Sequence, residues 1–494
     1  MRPGALAVLC CALLAGGCAT LEAPFDAHLA SETPQVRECA EWYRMLDERV
    51  AAAGVRDAQD ARVAGFPYLR VSRLLAALRP AAMSSEAALR ALADRMLALD
   101  LEARRYEIMN LPAGPDGTAG HRDALQRTRQ CGTLLRDTDL AKPESRDTLL
   151  RRAEVPDDYR LLSRILGLYW FTRLPFAEGV RRYQEETMAA YRRELAAPEG
   201  ASVVRHAPQP GGPLPRPRVA TMLKRAAENP LDIPEPPEGD LEALLAAYAP
   251  SFEVEVKGDY DRFGALRWLR DSDMPAVDGA QLAVYGHPAW TSYAGRVLLQ
   301  LVYTLWFPER PPQSAGDILA GKLDGITWRV TLAPDGEPLV YDAIHPCGCF
   351  HLFFPTPRAA PLPAPDDLQE WMFSPQSLPR LAEGERPVVR IATGTHYIER
   401  VSVTRGSDSL ARYELRPYGE LRSLDRLTGA RASAFGADGR IAGSERPERF
   451  TFWPMGIESA GAMRQWGRQP TAFVGRRHFD DADLFEKRFR FALD

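Results

Sequence analysis

This chain of 494 residues has little excess charge, few cysteines, no apolar run of membrane-spanning length and none of the common nucleotide or hydrolase fingerprints. Each shortage excludes something. A formal charge of −4, with arginine and acidic residues interspersed throughout, leaves no basic stripe for holding nucleic acid. A membrane-spanning helix needs roughly 20 apolar residues, and the N-terminal run Ala5–Leu14 is about half of that. No phosphate-binding loop, dinucleotide fingerprint or His-Glu-x-x-His is present. The segment Gly456-Ile457-Glu458-Ser459-Ala460-Gly461 has one residue too many before its serine to form the hydrolase elbow. Enzyme classes that carry a linear motif are thereby set aside, whereas a site assembled in space is not.

What is present describes an ordinary globular protein, 45% hydrophobic and 26% charged, and long enough that one core is unexpected. The N-terminus is the strongest signal. Arg2, the apolar run Ala5–Leu14, the small residues Ala15-Gly16-Gly17 and then Cys18 follow the layout of an export signal. The ending Leu14-Ala15-Gly16-Gly17-Cys18 resembles the lipobox of bacterial lipoproteins, with the leucine four rather than three positions before the cysteine. That resemblance implies a signal peptide over residues 1–17, acylation of Cys18 and a tether over 18–32. It further implies anchoring in the outer membrane, facing the periplasm, because Ala19 is not acidic. Cys10 and Cys11 would leave with the signal. The remaining cysteines, Cys39, Cys131, Cys347 and Cys349, are disulfide candidates in an oxidising compartment, with three possible pairings.

Along the chain, periodicity predicts α+β architecture: a helical domain over 33–200, a proline-rich linker or strap over 201–239, and a β-rich domain over 240–494 with short C-terminal helices. Thr33-Pro34 reads as a helix start, and Val36, Cys39, Tyr43, Leu46 and Val50 form its apolar stripe. Further helices are expected over Ser85–Met109 and Arg122–Arg136, then over 156–196 with Pro175 as a break. Beyond residue 250 the period falls to two. Arg296–Phe307 is continuously apolar, and Ile326–Leu332 with Pro338–Ile344 makes a hairpin about Pro334-Asp335-Gly336. A mostly antiparallel sandwich or distorted barrel is expected, closed by an amphipathic helix over Leu484–Leu493.

The densest chemistry lies in His345-Pro346-Cys347-Gly348-Cys349-Phe350-His351. In an extended strand His345, Cys347, Cys349 and His351 share one face, but six residues at about 3.3 Å each span roughly 20 Å. Zinc ligands must converge to about 2.0–2.3 Å. A single metal therefore requires the chain to fold back at Gly348, with His396 as a further ligand from a neighbouring strand. Zinc or reduced copper would suit that set. The competing readings are a disulfide across one residue, bridges to Cys39 and Cys131, and plain packing. Arg476, Arg477 and His478 beside Asp480 and Asp481 read as a local ion-pair network more readily than as an anion site. A cleft lined by Trp290, Trp306 and Trp328 would suit a glycan or apolar ligand. The sequence thus favours a lipid-anchored envelope lipoprotein with a non-catalytic binding or structural role, partnered by the membrane and by an envelope protein or glycan. A metal- or thiol-dependent periplasmic enzyme centred on the heptapeptide is the alternative.

Overall fold

The computed structural model describes residues 23–112, 117–196, 198–211, 214–270, 272–405 and 411–493. The signal-like stretch and Cys18 lie outside these residues. The chain forms two compact units, Met1–Pro156 and Asp157–Asp494, so the division falls at Pro156 and not in the proline-rich segment.

Helices of the first unit include α1 (Ala23–Leu29), α2 (Pro34–Ala52), α3 (Glu86–Asn110) and α4 (Gly117–Leu140). Proline at the first position of α2 lacks only an N–H that would have had no helical partner, and Val36, Tyr43, Leu46 and Val50 are buried as the spacing requires. Ser85 caps α3 by accepting from the Ala88 N–H at 3.0 Å. Part of the expected tether is instead α1, held by buried His28, whose Nε2 lies 3.0 Å from Asp139. A short hairpin, Ala61–Val63 against Phe66–Val71, also enters this unit. It brings Arg70 into a fully buried network, with Nη2 at 2.6 Å from Glu107 and Nε at 3.2 Å from Asp100, while Arg104 donates to Glu107 at 3.0 Å. Cys39 and Cys131 form a disulfide between α2 and α4.

The second unit opens with α5 (Leu161–Leu166) and α6 (Tyr169–Arg192). Pro175 lies inside α6. The break comes earlier, at Gly167, where any Cβ would meet Pro454 at 2.5 Å, and at Leu168, whose φ is 49°. The sheet strands are β1 (Ser202–Pro208), β2 (Ser251–Val256), β3 (Ala283–Tyr293), β4 (Arg296–Arg310), β5 (Gly321–Leu332), β6 (Pro338–Ile344), β7 (Leu352–Pro355), β8 (Arg386–Ile391), β9 (Ile398–Thr404) and β10 (Ala411–Pro417). They form one curled, mostly antiparallel sheet in the order β7-β6-β5-β4-β3-β10-β1-β2-β8-β9. Only β8 with β2, and β10 with both β1 and β3, pair in parallel. The architecture is therefore α+β, as expected. The proline-rich segment supplies β1 and a helix over Arg216–Ala226. The expected C-terminal helix is absent: Phe489–Phe491 pairs as a strand with Ala359–Pro361, because Phe485, Phe489 and Phe491 are all drawn into one buried aromatic cluster.

The continuous apolar run sits where such a run must. β4 lies inside the sheet, and its residues Leu298–Phe307 are buried without interruption. Trp306 and Trp328 are fully buried on separate cores, and Trp290 is packed against the sheet with its indole N–H donated to the Pro234 carbonyl at 2.7 Å. The expected tryptophan-lined cleft does not form, since the sheet uses these rings as packing volume.

Candidate functional site

The heptapeptide is the connection between β6, ending at Ile344, and β7, starting at Leu352. It reverses as a metal site would have required. Gly348 N–H donates to the His345 carbonyl at 2.8 Å, and His345 N–H to the Cys349 carbonyl at 3.0 Å. Gly348 has φ of 95°, and a Cβ there would lie 2.2 Å from the Pro470 carbonyl oxygen, so no other residue makes this turn without strain.

The reversal sends the two histidines to different carboxylates. His345 Nδ1 lies 3.0 Å from Asp324 Oδ1, His396 Nδ1 2.8 Å from Asp324 Oδ2, and Arg446 Nη2 3.2 Å from Oδ1. His351 Nε2 instead meets Asp342 Oδ2 at 2.8 Å. Asp342 also takes a bidentate pair from Arg329, its direct cross-strand neighbour on β5, at 2.9 and 2.6 Å. Both carboxylates are wholly buried. Burial is the largest influence on Asp324 and pushes it upward, but His345, Arg446 and His396 together outweigh it and hold the carboxyl well below the usual range. At Asp342, Arg329 and His351 likewise prevail over burial. Burial drives the His351 imidazole down to about 3, so it is neutral and its Nε2–H points at Asp342. At His396 burial pulls downward, but Asp261 and Asp324 prevail and raise it.

Among the described residues no three His, Cys, Asp or Glu side chains are arranged to hold one metal ion. The set His345, Cys347, Cys349, His351 and His396 therefore does not assemble around a single centre. The physical reason is that each buried imidazole needs a partner, and Asp324 and Asp342 supply one on each side of the loop. Cys347 and Cys349 stay free thiols, which excludes both the local disulfide and bridges to the first unit from this structure.

Above the loop lies a cavity of about 510 Å³. Helix α6 contributes Phe176, Val180 and Tyr183. The loop contributes Cys347, Cys349 and Phe350, and the C-terminal segment contributes Phe452, Ile457 and Phe473. Tyr183 packs its ring 5.2 Å from Phe350 and 6.1 Å from Tyr397, which joins helix to loop. Three carboxyls, Glu186, Glu370 and Glu448, and the Arg477 guanidinium reach this space. Burial pushes Glu448 up to about 7 and also raises Glu370, which accepts from the Phe473 and Val474 N–H groups at 2.5 and 2.9 Å. Burial thus favours the neutral form of the two deeper carboxyls, and with the aromatic lining the arrangement suits an apolar guest with a small polar group. Neither carboxyl was singled out by sequence reasoning, and no local spacing marks them. Arg476 pairs with Asp157 at 2.6 Å, and His478 lies 3.5 Å from Asp157 and Asp158, the ion-pair network anticipated.

Beside the cavity, α5 and α6 carry an exposed apolar face. Leu162, Ile165, Leu166, Trp170 and Phe171 are each 61–71% exposed, which makes a patch too contiguous for an inert surface. Among the described residues no helix is long and apolar enough to cross a membrane. Fold and site together define an α+β protein with an aromatic cavity set over a free dithiol loop. No protein family, curated protein or solved structure matches this chain, so its reading rests on the geometry alone.

Proposed function

We propose that this chain is a lipid-anchored, periplasm-facing envelope protein that holds an apolar, acyl-like or aromatic ligand in the cavity beneath α6, a binding role and not a catalytic one. The observation that carries the reading is the cavity itself. Its volume falls within the roughly 300–1,000 Å³ of small-molecule sites, and its lining is mainly aromatic and apolar, with burial raising two of its carboxyls, Glu370 and Glu448, which favours a largely apolar guest. The exposed face of α5 and α6 supports delivery from an apolar surface, because Trp and Leu side chains on a helix that also lines the cavity suit the membrane interface. The lipobox-like Cys18 would keep the chain at such a surface.

Titration of the chain from Glu22 with a neutral apolar fluorophore, N-phenyl-1-naphthylamine, tests this. Saturable binding at one site is expected, displaced by a long-chain fatty acid or alcohol. Val180→Trp, which fills the cavity from α6, is expected to weaken binding about tenfold or more while the melting temperature changes little. Binding that is non-saturable, or unaffected by Val180→Trp, refutes the reading.

A further inference from the structure

The proposed ligand makes no use of the two thiols beneath it. Cys347 is 3% exposed and Cys349 half-buried, and both border the cavity. The turn that reverses the chain also brings the two cysteines together: Cys349 N–H points at Cys347 Sγ from 3.4 Å. They are therefore adjacent, reduced and fixed on a loop whose central glycine has no substitute.

Two buried arginines and one carboxyl, Glu448, act on these thiols. Arg464 is 5% exposed, and its guanidinium donates to the main-chain carbonyls of Glu458 and Ser459. The carboxylate that acts on it is Asp158, which Arg468 also holds at 3.0 Å and His478 approaches at 3.5 Å, and the Arg464 Nε has no hydrogen-bond partner. Buried guanidinium groups are ordinarily matched by an anion. The field of Arg464, and that of Arg446 beside Asp324, falls on both sulfurs. Asp158 is shared among Arg464, Arg468 and His478, so Arg464 is only partly compensated where the two thiols stand.

We infer that Cys347 and Cys349 form a two-coordinate site for a soft monovalent cation, copper(I) or silver(I). Thiolate sulfur selects such ions, and a linear pair of sulfurs satisfies them without a third ligand. The histidines, committed to Asp324 and Asp342, are not needed. Zinc, which takes four ligands in a structural site, is not served here. On binding, two S–H bonds break, two S–metal bonds form and two protons leave to solvent, with no change in oxidation state. The product, a dithiolate complex of charge −1, adds a second anion beside Arg464, whose carboxylate Asp158 is shared with Arg468 and His478. This inference is independent of the apolar ligand and survives its failure.

The test uses the chain from Glu22, which contains every described residue, with Cys347 and Cys349 verified as free thiols and the Cys39–Cys131 bridge intact. Silver(I) is titrated in weak buffer with a pH indicator, and copper(I) against bathocuproine disulfonate. One equivalent is expected, with two protons released and both thiols protected from a thiol reagent. Cys347→Ser with Cys349→Ser is expected to abolish this uptake, and Arg464→Met, which keeps both thiols, to weaken it about tenfold. No stoichiometric uptake, uptake with fewer than two protons, or equal uptake by the double serine variant overturns the inference. Should either variant fail to fold, the proton count on the unaltered chain still decides.

Discussion

Replacing His287 by phenylalanine is expected to stabilise the second unit, and by more at pH 4 than at pH 7. The His287 ring centroid lies 4.6 Å from those of both Tyr418 and Trp466. The residue as a whole is half-buried, yet both ring nitrogens are shut from solvent and without a partner. Burial, followed by the fields of Arg422 and Arg329, lowers its pKa from 6.5 to about 3. The folded value lies below the unfolded one, so the unfolded chain takes up the proton first. The associated stability is complete above about pH 6.5 and is lost as pH falls toward 3. At pH 4 the loss is roughly 2.5 pH units at about 1.36 kcal/mol each, or about 3 kcal/mol. At pH 7 the substitution removes only two unpaired nitrogens, a gain of about 1 kcal/mol, and keeps the aromatic packing. Urea midpoints by tryptophan fluorescence at pH 4, 5.5 and 7 measure the difference. A gain equal at pH 4 and pH 7 would refute the reasoning, since it would mean that the imidazole protonates in the folded state. His351 and His206, lowered by burial to about 3 and about 4, share the sign, so the variant should retain a shallower acid dependence.

Two further perturbations probe each unit. Removing the disulfide by Cys39→Ala with Cys131→Ala opens a loop spanning 92 residues; the chain-entropy relation gives a loss of about 4–5 kcal/mol, confined to the first unit and visible as faster hydrogen exchange in α2 and α4. Asp342→Asn leaves the buried Arg329 guanidinium uncompensated and is expected to lower stability by about 3–5 kcal/mol, whereas adding Arg329→Met should recover most of the loss in the same urea assay; no recovery in the double variant would show that the pair is not the source of the cost.

Much of the frame was legible because local chemistry and packing agree there. Thr33-Pro34 with its stripe, Ser85 before α3, the apolar run of β4 and the hairpin about Pro334-Asp335-Gly336 all formed as their residues require. The apolar residues Leu162, Ile165, Leu166 and Trp170 of the helical stretch over 156–196 are exposed, because a period of 3.6 states which residues share a face and not which way the face turns. Likewise, proline density suggested a linker where β1 forms, since an extended backbone serves a strand as readily as a strap. The C-terminal aromatics offered a helix, but the apolar partners that claim Phe489 and Phe491 lie far away in sequence.

The heptapeptide shows the limit most sharply, because its geometry was foreseen and its chemistry was not. Proline and glycine marked the reversal, yet what a buried imidazole does is decided by the nearest carboxylate, and Asp324 and Asp342 stand on strands outside the motif. One of the two had a readable signal: counting outward from the hairpin turn, with one irregularity after Pro338, places Arg329 directly opposite Asp342. A charge in the middle of each apolar strand, facing its opposite across the ladder, is a buried ion pair in waiting. No such count finds Asp324, since His396 reaches it from a distant segment. Once both histidines are committed, the thiols are the groups in the motif left without a strong partner, and Arg464 is a buried cation whose carboxylate, Asp158, is shared with Arg468 and His478. That pairing of deficits, rather than the row of ligands suggested by an extended strand, is why a soft ion held by sulfur alone fits this loop better than the four-ligand zinc the spacing first invited.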